Sequence, residues 1–263
     1  MPKRTTVLDF QAKCDKGEKL SIVTAYDYAM SMAVDAAGVD AILVGDSLNM
    51  TMLGRENTLS ATLDEMLHHT EAVAKGAKNA MVIGDMPFLT YQLGPEQALE
   101  NAGAFLTEAG AQAVKLEWCP RASEIAKFLV ENGVPVMGHL GFTPQQIHRF
   151  GGYHQQGKDK ASAALLLKEA KALEAAGAFG IVLELIPSDI AKKITASVKI
   201  PTIGIGAGPD CDGQVQVLHD LLGLMPDFHP KHAKAYLKLH EAIRDAVKQY
   251  VSEVGAGKFP PKS

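Results

Sequence analysis

The chain has 263 residues, a formal net charge of -4, 47% hydrophobic and 21% charged residues. These values fit one large α/β domain or two smaller ones, and the mild acidity without a basic run argues against a nucleic-acid surface. No apolar stretch approaches bilayer length, and the N-terminal M-P-K-R-T-T-V-L-D-F has no apolar signal core, so neither a membrane partner nor secretion is expected.

The segment 7–16 predicts a helix. Strand-like runs follow at 21–27 (S-I-V-T-A-Y-D), 41–47 (A-I-L-V-G-D-S) and 80–86 (A-M-V-I-G-D-M). Further runs lie at 113–118 (A-V-K-L-E-W), 134–140 (V-P-V-M-G-H-L), 180–186 (G-I-V-L-E-L-I) and 201–207 (P-T-I-G-I-G-A), with a weaker eighth at 214–220 (Q-V-Q-V-L-H-D). Most are oily on successive positions, the mark of parallel strands buried on both faces. Helical periodicity fills 62–75, 95–109, 122–131, 160–176 and 189–197, with a C-terminal helix near 231–251 and an irregular, flexible tail at 252–263. Gly76, Gly110, Gly133 and Gly177 close helices as left-handed caps.

Seven or eight β–α units in this length predict a single (β/α)8 TIM barrel domain over 1–263. A doubly wound open sheet is the rival; its dinucleotide form is disfavoured because no G-x-G-x-x-G follows the first strand. Cys14, Cys119 and Cys211 are scattered without a C-x-x-C, which reads as reduced cytoplasmic thiols.

Sites in parallel α/β folds form at the C-terminal ends of strands. Those ends carry Tyr26, Asp27, Asp46, Ser47, Asp85, Lys115, Glu117, His139 and Glu184, then the G-I-G-A-G loop (204–208), and His219 with Asp220. The repeated Gly-Asp after an oily run places two carboxylates beside a core, which is costly unless they share a partner. Asp46, Asp85 and Glu117 form an all-oxygen set that suits Mg²⁺ or another hard cation, directly or through water, with positions left for a 2-oxo acid. Lys115 shares a strand face with Glu117 and is placed to neutralise a carboxylate or an enolate oxygen. Glu184, in L-E-L-I, is a candidate general base whose apolar shell would raise its pKa; His139 is a candidate hydrogen-bond donor or proton shuttle. Each residue also has a plain reading. A strand-end Asp caps helices, Lys beside Glu is an ion pair, His139 is a satisfied core histidine, and G-I-G-A-G is a tight turn.

The motifs T-A-Y-D (24–27), L-V-G-D-S-L (43–48), G-D-M-P-F (84–88), V-K-L-E (114–117), G-H-L-G-F-T-P-Q (138–145), F-G-G-Y (150–153), G-I-G-A-G (204–208) and D-G-Q-V-Q-V-L-H-D (212–220) run in order along almost the whole chain. Together they resemble the ketopantoate hydroxymethyltransferase (3-methyl-2-oxobutanoate hydroxymethyltransferase) family. The resemblance implies a barrel of the isocitrate lyase/phosphoenolpyruvate mutase type. It also implies transfer of a one-carbon unit from 5,10-methylenetetrahydrofolate to 3-methyl-2-oxobutanoate through a Mg-stabilised enolate, giving 2-dehydropantoate for pantothenate synthesis. By the same resemblance Asp46 and Asp85 contact Mg²⁺ and Glu117 completes the metal shell. Asp46, Ser47, Asp85 and Lys115 hold the oxo acid, Glu184 accepts the proton and His139 lines the pocket. Family members are typically homo-oligomeric, often decameric. Trp118-Cys119 departs from the small residues expected after V-K-L-E, and is expected to reshape the loop beside Glu117. Two other functions stand against this one: a Mg-dependent carbon–carbon lyase on the same barrel, disfavoured by the lack of a K-K-C-G-H-like stretch, and a non-catalytic oxo-acid-binding barrel.

Overall fold

Short apolar runs with no polar alternation need cover on both faces, and in the computed structural model, which describes residues 4–227 and 230–261, they obtain it by closing on themselves. Strands β1 (Leu20–Thr24), β2 (Ala41–Val44), β3 (Met81–Asp85), β4 (Ala113–Glu117), β5 (Val136–Gly141), β6 (Gly180–Glu184), β7 (Thr202–Ile205) and β8 (Gly213–Gln216) form a closed barrel in sequence order. Neighbouring strands pair in parallel, and Leu20 N–H donates to Asp212 C=O at 3.0 Å where the last strand meets the first. The rival open sheet is thereby excluded.

The helices are α1 (Val7–Asp15), α2 (Tyr28–Ala36), α3 (Leu48–Thr51), α4 (Leu63–Gly76), α5 (Pro95–Thr107), α6 (Ala122–Glu131), α7 (Ile147–Phe150), α8 (Lys160–Ala175), α9 (Ser188–Thr195), α10 (Leu218–Leu222) and α11 (Leu239–Gly255). Local chemistry sets several starts. Thr6 and Asp9 form a capping box at α1, Thr62 and Glu65 another at α4, and Asp159 caps α8. No helix among the described residues is long and apolar enough to cross a membrane. Contacts divide the chain into two compact units, Met1–Val215 and Gln216–Ser263. The first carries the barrel strands as far as Val215, and the second carries α10 and α11.

Several elements differ from the sequence expectation. Helix α2 starts immediately after the T-A-Y-D run, because Asp27 accepts from Met30 N–H as its N-cap. The eighth strand stops at Gln216, so His219 and Asp220 ride on α10 instead of ending a strand. Helix α11 begins at Leu239 and continues to Gly255, so 252–255, read as tail, are its last turn; Lys262 and Ser263 of that tail lie outside the described residues. Gly110, Gly133 and Gly177 take the left-handed conformation, but Gly76 does not. It is the last residue of α4, where a Cβ would strike Ser31 Oγ and the Tyr28 carbonyl of α2. Its smallness serves helix packing, not a turn.

The barrel interior explains where the polar residues point. Ile22, Ala41, Leu43, Met81, Ile83, Ala113, Met137, Val182, Ile203 and Val215 share one buried cluster with Phe10 of α1. Side chains two residues further along a strand keep the same face. Asp85 follows Ile83, Lys115 and Glu117 follow Ala113, His139 follows Met137, and Glu184 follows Val182. The apolar layers therefore continue, at the C-terminal ends, as a polar layer.

Candidate functional site

Strand register sets the polar layer's neighbours. Asp85 pairs with Lys115 across β3 and β4, and Glu117 with His139 across β4 and β5. Lys115 Nζ lies 2.7 Å from Asp85 Oδ1 and 3.3 Å from His139 Nδ1. His139 Nδ1 stands 3.5 Å from Glu117 Oε1, and its Nε2 3.2 Å from Glu184 Oε2. Asp46 sits just past β2 and its backbone N–H donates to Asp85 Oδ2 at 3.1 Å. The two Gly-Asp turns thus meet, the Asp46 backbone on the Asp85 carboxylate, and Lys115 is the cation beside Asp85. Ser47 Oγ and Tyr26 OH are 2.9 Å apart at the same strand end.

Asp46, Asp85, Lys115, Glu117 and His139 are all buried. Burial raises the Asp46 pKa well above the usual carboxylate value, and Asp85 and Glu117 raise it further. Burial opposes the charge on Lys115, but Asp85, Glu117 and Asp46 outweigh it and raise the ammonium pKa. Burial and Lys115 both push His139 down, yet Glu117 and Glu184 outweigh them and bring it up to about 9. His139 thus has a glutamate oxygen near each ring nitrogen at ion-pair distance, and neither contact is a well-aligned hydrogen bond.

The sequence predicts an apolar shell for Glu184, and the structure sets a polar neighbour beside it. Its side chain keeps 16% exposure and its Oε2 faces His139 Nε2. Exposed Tyr153, in the loop after α7, lies near enough that Glu184, Asp46 and Glu117 add to burial in raising its phenol pKa. Leu185, next to Glu184, holds a left-handed φ of 45°, a strained conformation for a bulky residue.

Two residues escaped the sequence reading. Gln145, 4% exposed, donates from Nε2 to Asp46 Oδ2 at 3.0 Å and to the Met86 carbonyl at 2.9 Å, while its backbone N–H donates to Glu117 Oε2 at 3.0 Å. Tyr91 OH lies 2.7 Å from Gln145 Oε1 and accepts from Glu117 N–H at 3.2 Å. The only signal was Gln145 closing G-H-L-G-F-T-P-Q; Tyr91 carried none. The other candidates follow their plain readings. Asp27 caps α2, G-I-G-A-G forms a turn with Gly206 and Gly208 left-handed, and His219 and Asp220 belong to the second unit. Trp118 N–H still bonds the His139 carbonyl at 3.0 Å, so β4 keeps its register past Glu117, and Arg149 stacks 5.2 Å from the indole centroid.

Among the described residues, no group of three or more His, Cys, Asp or Glu is arranged to hold a metal ion. The set Asp46, Asp85 and Glu117 is thus not a closed cage. Mg²⁺ commonly uses one or two carboxylates and keeps several waters. Asp46 and Asp85 fit that pattern. Glu117 Oε1 is buried without a well-aligned hydrogen bond, which suits contact through water.

The model of one known family, ketopantoate hydroxymethyltransferase, matches residues 4–262. A curated 3-methyl-2-oxobutanoate hydroxymethyltransferase from Dehalococcoides mccartyi is 53% identical over 257 residues, covering 98% of this chain and 91% of that protein. Among solved structures, 2,3-dimethylmalate lyase, a PEP mutase/isocitrate lyase superfamily member, aligns with a TM-score of 0.59 at 15% identity, covering 99% of this chain and 91% of that one. Phosphonopyruvate hydrolase in complex with oxalate and Mg²⁺ aligns with a TM-score of 0.62 at 14% identity, covering 95% and 98%. The two structures share the fold, while the sequence relative carries the activity: the chain is an enzyme and belongs to the ketopantoate hydroxymethyltransferase family.

Proposed function

We propose that this enzyme transfers a hydroxymethyl group from 5,10-methylenetetrahydrofolate to 3-methyl-2-oxobutanoate, giving 2-dehydropantoate for pantothenate synthesis. The observation that carries this reading is the buried array of Asp46, Asp85, Lys115, Glu117 and His139, with Glu184 at its edge, at the strand ends of a chain in this family. Asp46 and Asp85 would hold Mg²⁺, with Glu117 through water; the phosphonopyruvate hydrolase structure, which pairs Mg²⁺ with the two-carbon diacid oxalate, supports that choice. When bound, the cation supplies positive charge to the keto and carboxylate oxygens of the acid and makes its branched carbon more acidic.

The chain's own residues do the rest. Lys115, a fixed cation 2.7 Å from Asp85 Oδ1, stabilises negative charge developing on the substrate oxygen. Ser47, with Tyr26 OH at 2.9 Å, offers a hydroxyl to the substrate carboxylate. Glu184 removes the proton from the branched carbon. His139 Nε2, 3.2 Å from Glu184 Oε2, stands where it can pair with that carboxylate. The resulting carbanion attacks the methylene carbon of the folate, opened as its iminium with one carbon–nitrogen bond broken, and forms the carbon–carbon bond. Water then replaces the remaining folate nitrogen on that carbon: its oxygen becomes the hydroxyl, its proton goes to the nitrogen, and tetrahydrofolate leaves.

Proton NMR of 3-methyl-2-oxobutanoate in D₂O with protein and Mg²⁺ tests this. Loss of the branched-carbon proton signal, stopped by EDTA and by Glu184→Gln, is the expected result. No exchange even with tetrahydrofolate added would overturn the metal-and-base assignment.

A further inference from the structure

Gln145 makes more contacts with the candidate ligands than any residue read from the strands. It leaves the barrel wall after β5 and turns back over the mouth, where one amide meets four groups. Nε2 donates to Asp46 Oδ2 (3.0 Å) and to the Met86 carbonyl (2.9 Å), and Oε1 accepts from Tyr91 OH (2.7 Å) and Gln92 Nε2 (3.3 Å). Its backbone N–H holds Glu117 Oε2 (3.0 Å), and Tyr91 OH also contacts the Glu117 backbone. Both amide donors are used, and the acceptor is used twice. The carbonyl of Met86 follows Asp85 directly, so Gln145 spans the chain beside Asp85, the Asp46 side chain and the Glu117 side chain. A buried carboxylate held at one oxygen presents the other in a fixed direction.

We propose that Gln145, backed by Tyr91, is a positioning residue that aims the Asp46 carboxylate at the divalent cation. The inference rests on the proposed function. The amide touches neither substrate nor cation. It fixes the direction of Asp46 Oδ1 by holding Oδ2, and it ties that carboxylate to the strand end that carries Asp85. The Met86 carbonyl and Gln92 Nε2 fix which way the amide faces: exchanging oxygen and nitrogen would set two acceptors against each other at Met86 and two donors at Gln92, while Tyr91 OH adds a second donor to Oε1.

The test is Mg²⁺ binding by calorimetry, and Mn²⁺ binding by electron spin resonance, on wild type, Gln145→Met and Tyr91→Phe, with thermal unfolding alongside. Gln145→Met keeps the shape and the backbone N–H to Glu117 but removes the hold on Asp46. Outer partners of ligands typically change metal affinity by about 10–100-fold, so Gln145→Met should weaken both cations by at least about 10-fold. Tyr91→Phe should weaken them in the same direction by less, since Gln92 still contacts Oε1. A purely structural role would lower the unfolding temperature and leave the dissociation constant of the folded fraction unchanged. Affinity within about twofold of wild type in either folded variant overturns the inference. If wild type binds neither cation, the metal reading falls and this inference with it; if wild type binds and the variants bind equally, the inference falls alone.

Discussion

Replacing Lys115 with Met removes the cation nearest the carboxylates of the site and keeps the length of the side chain. Lys115 is 3% exposed and 2.7 Å from Asp85 Oδ1, with Glu117 and Asp46 also acting on its charge. Breaking a buried pair by deleting one partner typically costs about 3–5 kcal/mol. The loss has a ceiling, because a carboxylate in the variant can protonate. Neutralising one at pH 7, from an ordinary pKa of about 3.9, costs about 1.4 kcal/mol per unit, or about 4 kcal/mol. The two figures agree, so a loss of about 4 kcal/mol is expected at pH 7 in EDTA. The sign with pH follows. A carboxylate whose folded pKa is raised binds more protons folded than unfolded, so its stability falls as pH rises. The variant's deficit should therefore shrink steadily from pH 8 to pH 5. Urea unfolding followed by circular dichroism at pH 5, 6, 7 and 8 measures it. A deficit below about 1 kcal/mol with no pH trend would refute the picture of a lysine neutralising buried carboxylates.

Mg²⁺ binding should release protons, because burial, Asp85 and Glu117 keep Asp46 protonated to higher pH than usual and the cation needs the carboxylate. Affinity should rise with pH until Asp46 ionises; calorimetry in two buffers of different ionisation enthalpy detects this, and no proton release speaks against Asp46 as a ligand. Glu184→Gln should bind the oxo acid normally while exchanging its branched-carbon proton at least about 100-fold more slowly, and unchanged NMR exchange would remove Glu184 as the base. Gly76→Ala should lower stability by about 1–3 kcal/mol, since a Cβ meets Ser31 and the Tyr28 carbonyl; an unchanged thermal midpoint would mean that α2 and α4 separate easily.

What the sequence disclosed about the site depended on periodicity. Asp85, Lys115, Glu117, His139 and Glu184 each follow an interior residue by a multiple of two in the same strand, so their shared direction was readable once the runs were taken as strands. Which of them touch was not readable, because the register across strands comes from closing the barrel. Gln145 and Tyr91 lie in loops, where no period applies, and reach Asp46 and Glu117 over 99 and 26 positions of chain. The environment of Glu184 failed for a related reason. Its sequence neighbours Leu183, Leu185 and Ile186 are oily, but alternate strand residues face away from one another, and the side chain meets His139, two residues along from its ladder partner Gly141. Gly76 looked like a cap from its place after a helix, and only the crossing of α2 and α4 shows why a side chain is excluded there.

The balance of charge connects these residues to the reaction. Asp46, Asp85, Glu117 and Glu184 bring four carboxylates to the strand ends, against two cations, Lys115 and His139. With every group ionised, two negative charges are left over in a largely buried place, and protonation of Asp46 removes only one of them. A purely structural cluster would gain by losing a carboxylate, since unpaired buried charge is strongly destabilising. A divalent cation balances the excess in full. Lys115 and His139 alone would bind a 2-oxo acid poorly, because its own negative charge would add to the surplus. On the proposed function, the carboxylates serve the cation, Lys115 serves the charge that develops on the substrate, and His139 serves Glu184.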